Sequence, residues 1–241
     1  MRRFAIGDVH GCYKPLRTLI ETIDPQPEDQ IIFLGDYIDR GPDSRGVVDL
    51  VIELQQRCEV ITLLGNHEIM LLSVTQSGAD PEIWLQSGGA ATVNSYGGSF
   101  DKISAAHIQF YKNLLPFYET ENEIFVHANY ESHLAMSEQA DDFLFWKHML
   151  PPIPGAHRSG KRVFVGHTPQ PQCQIMDLGY LVGIDTYCFG HGCLTAFDLD
   201  NDQLIQADYH GHLKRNRAEE LRQWVTKKWL AARARMKRKS T

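Results

Sequence analysis

The chain has 241 residues, of which 43% are hydrophobic and 22% charged, values of an ordinary globular protein long enough to bury a sizeable core as one unit. No segment approaches the roughly 18 consecutive apolar residues of a membrane-spanning helix, and Arg2 and Arg3 lead into too short an apolar run for an export signal. This predicts a cytoplasmic protein with no transmembrane segment. The net charge of −6 is uneven: residues 213–241 carry 11 Lys/Arg against Glu219 and Glu220, a local charge of +9 that leaves −15 on residues 1–212. An acidic body suits carboxylates gathered around cations.

In chain order, FAIGD (4–8), IIFLGD (31–36), VITLLGNHE (60–68), IFVHA (124–128), VFVGHT (163–168) and YLVGID (180–185) are short apolar runs ending in Gly or a small residue beside Asp, Asn or His. Their length and β-branched content predict buried strands. Between the first three, Leu16, Leu19, Ile20 and Ile23, then Val47, Val48, Leu50, Val51 and Leu54, recur at helical spacing, with Pro42 and Asp43 as a helix start. Strand, helix, strand, helix, strand implies parallel pairing through right-handed crossovers, so the polar strand ends meet at one sheet edge. Residues 68–116 are predicted mostly helical, with loops at Ser77 to Pro81, Ser87 to Gly89 and Gly97 to Ser99. FYETENEIFVHA (117–128) and LTAFDLDNDQLIQADYH (194–210) predict hairpins, and residues 150–162 a Pro- and Gly-rich loop. The expected architecture is α/β, two packed mixed β-sheets flanked by helices, with a body over residues 1–212 and a tail over 213–241. The five cysteines form no C-x-x-C pair and are expected to be reduced, most of them small buried hydrophobes.

One Gly-Asp after a strand signals a turn as readily as a site. Here Asp8, His10, Asp36, Asn66, His127 and His167 all fall at predicted strand ends, and burying so many carboxylates and imidazoles together without a cation is costly. A carboxylate can bridge two ions, and Asp36, on the second strand, is placed to do so. Oxygen and imidazole donors without thiolate suit two divalent ions drawn from Mn, Fe and Zn.

The series GDVHGC, GDYIDRG, LLGNHE, VHANY, FVGHTP and GIDT, spanning roughly residues 3–200, resembles the metal-dependent phosphoprotein phosphatases, most closely bacterial and phage members such as the phage lambda Ser/Thr phosphatase. The resemblance implies a calcineurin-like fold and a phosphomonoester hydrolase in which a hydroxide bridging two metals attacks phosphorus. Asp8, His10 and Asp36 would hold one ion, and Asp36, Asn66, His127 and His167 the other. It also implies that His67 is the general acid, that Asp39 orients it, and that Arg40 binds phosphate oxygens. Relatives commonly carry a second phosphate-binding Arg two residues after a Trp, where this chain reads Trp146, Lys147, His148. Lys147, His148 and Arg158 are the candidate replacements. Asp185 is expected to support the site through its carboxylate, and His191 to reach it from the loop after GIDT.

Leu221, Trp224, Val225 and Trp229 recur at helical spacing and give the basic tail one apolar face, read first as an amphipathic C-terminal helix docked on the body and otherwise as an arm for an acidic partner, nucleic acid or a membrane surface. Three functions are weighed. A phosphatase acting on phosphoproteins or small phosphoesters leads. A symmetrical diadenosine tetraphosphate hydrolase is the alternative, although Gln is expected there in place of His10. The third is a non-catalytic scaffold that binds through the tail.

Overall fold

Alternation along the strands builds this molecule in layers. The computed structural model describes residues 1–214. Strands β1 (Arg3–Ile6), β2 (Gln30–Phe33) and β3 (Glu59–Thr62) run parallel, joined through α1 (Tyr13–Ile23) and α2 (Ser44–Leu54). Next come α3 (Asn66–Ser77), α4 (Glu82–Trp84), α5 (Ala90–Ser95) and α6 (Ala105–Lys112), then β4 (Phe117–Glu119), β5 (Glu123–Val126), β6 (Arg162–Val165), β7 (Met176–Asp177), β8 (Leu181–Gly183), β9 (Cys193–Asp198) and β10 (Gln203–Asp208). One sheet has the order β10-β9-β1-β2-β3 and the other β4-β5-β6-β8-β7, each mixing parallel and antiparallel pairs.

Successive residues of a strand point to opposite faces. Ala5, Ile32, Phe125, Phe164, Val182 and Phe197 therefore meet between the sheets, where the Phe164 ring packs 5.3 Å from Phe125 and 5.2 Å from Phe197. Their neighbours Phe4, Ile6, Ile31 and Phe33 face a core with Leu16, Leu19, Val47, Val48 and Val51 of α1 and α2. Ile124, Val126, Val163, Val165 and Leu181 face a third cluster with Tyr130, Leu144 and Phe145. At about 1.5–3 kcal/mol for each large side chain taken from water, these three layers fix the register, since a one-residue slip would exchange the two faces. Asp43 caps α2 by accepting from the Gly46 N–H at 2.8 Å.

The predicted strands, both hairpins and the irregular 150–162 segment are present. The predicted loop at Ser87 to Gly89 is instead part of a wide π-helical turn, Leu85–Gly89, in which Gly88 has φ 120°. A Cβ at Gly88 would lie 2.6 Å from the Arg40 side chain, and the Gly88 carbonyl accepts from the Arg40 N–H at 3.1 Å. Glycine there lets the turn close onto the residue predicted to hold phosphate. The cysteines also depart from expectation: Cys173 and Cys193 form a disulfide, tying the segment after β6 to the start of β9, while Cys12 and Cys188 are buried thiols as expected. Composition carries no record of which thiols meet, so spacing alone did not reveal the pair. No described helix is long and apolar enough to cross a membrane. The basic tail lies outside the described residues apart from Leu213 and Lys214, which pair back onto Ala207 and Gln206.

Candidate metal centre

The strand-end loops adopt conformations that L-residues disfavour. His10 (φ 44°), Asp36 (50°), Asp39 (72°), Arg40 (66°) and His167 (59°) are all left-handed. Such strain persists only where the surroundings over-determine it. Glu68 supplies much of that constraint. Its buried carboxylate accepts from the N–H groups of Asp36 (3.0 Å), Tyr37 (2.8 Å) and Gly65 (3.1 Å), clamping the β2 loop to the start of α3.

Asp36 is the centre of the cluster. Its Oδ2 faces His10 Nε2 at 3.4 Å and its Oδ1 faces His127 Nε2 at 3.6 Å. Two groups of candidate ligand atoms, His10 with Asp36 and His67, and Asp36 with His127 and His167, each lie within 4.8 Å and share Asp36. The Asn66 Oδ1 stands 3.1 Å from both His127 Nε2 and His167 Nδ1.

Each predicted imidazole ligand is fixed by its other nitrogen. His10 Nδ1 donates to the Ile38 carbonyl, His127 Nδ1 to Leu34 and His167 Nε2 to Trp146, at 2.8–3.0 Å. That assigns the tautomers and turns a lone pair from each ring toward Asp36 or Asn66, the arrangement that orients metal-binding histidines. Burial drives the His10 and His127 pKa values below the usual imidazole range, and burial with His127 nearby brings His167 down to about 3. All three are neutral at pH 7, the state a metal requires. Asp36 is held well below the usual carboxylate range: burial opposes ionisation, but the facing His127, His67, His10 and His167 outweigh it.

Asp8 accepts from the His167 N–H at 2.9 Å through Oδ2, and Asp185 from the Tyr187 N–H at 2.9 Å through Oδ1. Asp8 Oδ1 and Asp185 Oδ2 are buried with no hydrogen-bond partner among the described residues. Burial, Asp185 and Asp36 raise the Asp8 carboxyl well above its usual range. Burial raises Asp185 to about 7, against the Tyr187 N–H and with Asp36. Orphaned carboxylate oxygens beside converging imidazole lone pairs fit divalent cations, which would supply the missing charge.

His67 Nδ1 bonds Asp39 Oδ2 at 2.6 Å, and its ring meets His10 edge-on at 4.7 Å. Arg40 donates to His10 Nε2 at 3.1 Å and lies over the Phe189 ring at 4.7 Å. The predicted substrate residues divide. His148 stacks on His167 with ring centres 4.5 Å apart and so borders the cluster, while Lys147 Nζ lies 4.0 Å from the Phe143 ring centre, in the loop next to His148. Arg158 is not brought there: it pairs with Glu138 at 3.7 Å and donates to the His133 carbonyl. His191 packs against Tyr209 at 4.8 Å instead, and Phe189, from the same loop, touches His10 at 4.8 Å. Sequence reasoning also missed Trp84 and Thr92, which hold Asp39, and Glu68. Only Glu68 had a signal, its place in GNHE.

The calcineurin-like phosphoesterase family model matches residues 1–232, and the chain belongs to that family. It is accordingly a metallophosphoesterase, a hydrolase class that works with divalent metals. Among curated proteins it is similar to the symmetrical bis(5'-nucleosyl)-tetraphosphatase of Cellvibrio japonicus (strain Ueda107), 43% identical over 75 residues, which are 31% of this chain and 27% of that protein. The match thus spans about a quarter of the relative's length. Its fold is similar to that of a candidate diadenosine tetraphosphatase (TM-score 0.68, 21% identity, 86% of this chain and 93% of that one). It also resembles a protein serine/threonine phosphatase of Saccharomyces cerevisiae (TM-score 0.55, 16% identity, 90% and 81%).

Proposed function

We propose that this chain hydrolyses a phosphoric ester or anhydride at a dinuclear centre, with Asp8, His10 and Asp36 on one ion and Asp36, Asn66, His127 and His167 on the other. The observation that carries the reading is Asp36, whose two oxygens face different imidazoles at 3.4 and 3.6 Å. Divalent cations held there, Mn first and Fe or Zn otherwise, would lower the pKa of water and offset phosphoryl charge. The protein does the rest. Arg40 presents a planar set of donors to phosphoryl oxygens, Phe189 supporting its guanidinium. His67, its Nδ1 committed to Asp39, has Nε2 left to give a proton to the departing oxygen. Asp185 holds the Tyr187 loop through one oxygen and keeps the other buried and unpartnered.

For substrate, the tetraphosphatase relatives favour a dinucleoside polyphosphate over the phosphoprotein first expected. A phosphomonoester, including phosphoserine or phosphothreonine, is the second reading, supported by the motif order that resembles the phosphoprotein phosphatases. The test is a panel of diadenosine tetraphosphate, an aryl phosphate and a phosphothreonine peptide with Mn-loaded full-length chain. Cleavage of the dinucleotide with the highest kcat/KM is expected. Cleavage of the peptide alone would select the second reading, and inactivity on all three would leave a binding scaffold.

A further inference from the structure

A cavity of about 550 Å³ opens between residues 129–133 and the 143–154 loop, lined by Asn129, Phe143, Lys147, His148, Leu150 and Pro152 among others. It adjoins the metal cluster directly, because the His148 ring on its wall stacks on His167. The Lys147 ammonium and the His148 ring, both in this lining, have no hydrogen-bond or carboxylate partner among the described residues, and the ammonium sits over the face of Phe143. Two exposed nitrogen groups so placed beside a phosphoryl-transfer centre are suited to anionic oxygens. Phe143, Leu150 and Pro152 give part of the wall an apolar surface, Glu131, Ser132 and His133 line it as polar residues, and Asn129 is pinned there by donating to the His148 carbonyl. Glu131 is the one acidic residue in the lining, which disfavours a polyanion extending through the whole cavity.

We propose that this cavity is the leaving-group subsite and takes a nucleoside diphosphate, its phosphates at Lys147 and His148 and its base against the apolar wall. The inference rests on the hydrolase reading above and names what the second, Arg-less side of the site recognises. The volume belongs to the few hundred Å³ of small-molecule sites. His148 serves two roles there: its ring buttresses the candidate ligand His167, and its edge meets the leaving phosphate.

Calorimetry of ADP, adenosine and inorganic phosphate against the Mn-loaded full chain tests this without requiring turnover. ADP is expected to bind at least about tenfold more tightly than adenosine or phosphate. Lys147→Ala should weaken ADP about tenfold, the scale of one charge-assisted hydrogen bond, with phosphate binding at Arg40 altered much less. Phe143→Leu, which keeps apolar volume, should weaken ADP and adenosine together by about threefold to fivefold. ADP binding no tighter than phosphate, or unchanged in both variants, overturns the proposal. Lys147-dependent ADP binding by a chain that cleaves none of the panel substrates supports the subsite while removing the hydrolase reading.

Discussion

His67 and Asp39 are joined by a 2.6 Å hydrogen bond between Nδ1 and Oδ2, and Asp39 has no freedom to move away from it. Trp84 Nε1 donates to the same oxygen at 2.9 Å, Thr92 donates to the other at 2.6 Å, and the Asp39 N–H is held by Ser44 and Thr92. Both side chains of the pair are buried. A carboxylate bonded at both oxygens can set an imidazole's tautomer and direction more firmly than a solvated one.

Asp39→Asn keeps shape but offers an amide where His67 needs an acceptor. We expect kcat to fall about 100-fold with KM changed less than about threefold, the pattern of a lost proton donor. Trp84→Phe removes one anchoring bond and should cost about fivefold in kcat. Steady-state kinetics on the best panel substrate measure both. An undiminished kcat in Asp39→Asn would show the pair to be purely structural.

Asp36→Asn separates the charge the two candidate ion sites share from the shape of the loop. Loss of that charge should lower kcat about 1000-fold, several kcal/mol of barrier. Ions that bind only the folded chain stabilise it by about 2.7 kcal/mol at 100 times their Kd. Mn should therefore raise the wild-type Tm, and chelation should reverse this. The variant should show a much smaller Mn-induced shift, and an equal shift in both proteins would place the ions elsewhere.

Glu68→Gln tests the clamp beneath the site. Glutamine retains one acceptor oxygen and sets an NH2 group against backbone donors that now point at a carboxylate. About 3 kcal/mol of unfolding free energy should be lost, read from urea denaturation. Activity should fall as well, because Asp36 sits in the left-handed loop that Glu68 holds. Full activity in a destabilised variant would show that the loop keeps its geometry unaided.

What the sequence disclosed follows the reach of each interaction. The convergence of Asp8, His10, Asp36, Asn66, His127 and His167 was legible because each follows a short apolar, β-branched run that reads as a buried strand, and parallel topology then brings strand ends together. Both sheets followed from the same runs together with the two hairpin signals. Trp84 and Thr92 were not legible as partners of Asp39, since they lie 45 and 53 residues away and helical spacing says nothing about which polar group a buried indole will meet. Arg158 and His191 were placed by proximity in sequence to site motifs. Each met a nearer partner, Glu138 for the first and Tyr209 for the second.

Asp29 contributes to the acid limb of stability at a position remote from the site. Burial disfavours the Asp29 carboxylate, but bonds from Arg2 and the Gln26 N–H outweigh it and lower its pKa from 3.8 to about 2. A lowered folded-state value means stability that is complete above the unfolded pKa and lost as pH falls from 3.8 to about 2. Arg2 is 44% exposed, so solvent and salt reduce the contribution to about 1 kcal/mol. Urea denaturation of wild type and Asp29→Asn from pH 6 to pH 2 should show a wild-type advantage that shrinks through that window. A constant difference would assign the effect to packing instead of ionisation.

Cys173 and Cys193, 20 residues apart, close a loop that contains β7, β8 and Asp185. In the chain-entropy account, cross-linking a loop of this length removes about 3 kcal/mol of freedom from the unfolded chain. The bond also ties the stretch after His167 to β9, which pairs with β1 just before Asp8. Reduction should therefore lower the unfolding free energy read from urea denaturation by up to that amount, and Cys173→Ser should reproduce the loss without reductant. His167 comes from β6 and Asp8 from β1, in different sheets, and the His167 N–H to Asp8 bond spans them. Loosening that junction should weaken Mn binding, read as a smaller Mn-induced Tm shift in Cys173→Ser than in wild type. An unchanged shift alongside a lowered midpoint would confine the disulfide's role to the unfolded chain and leave the metal site independent of it.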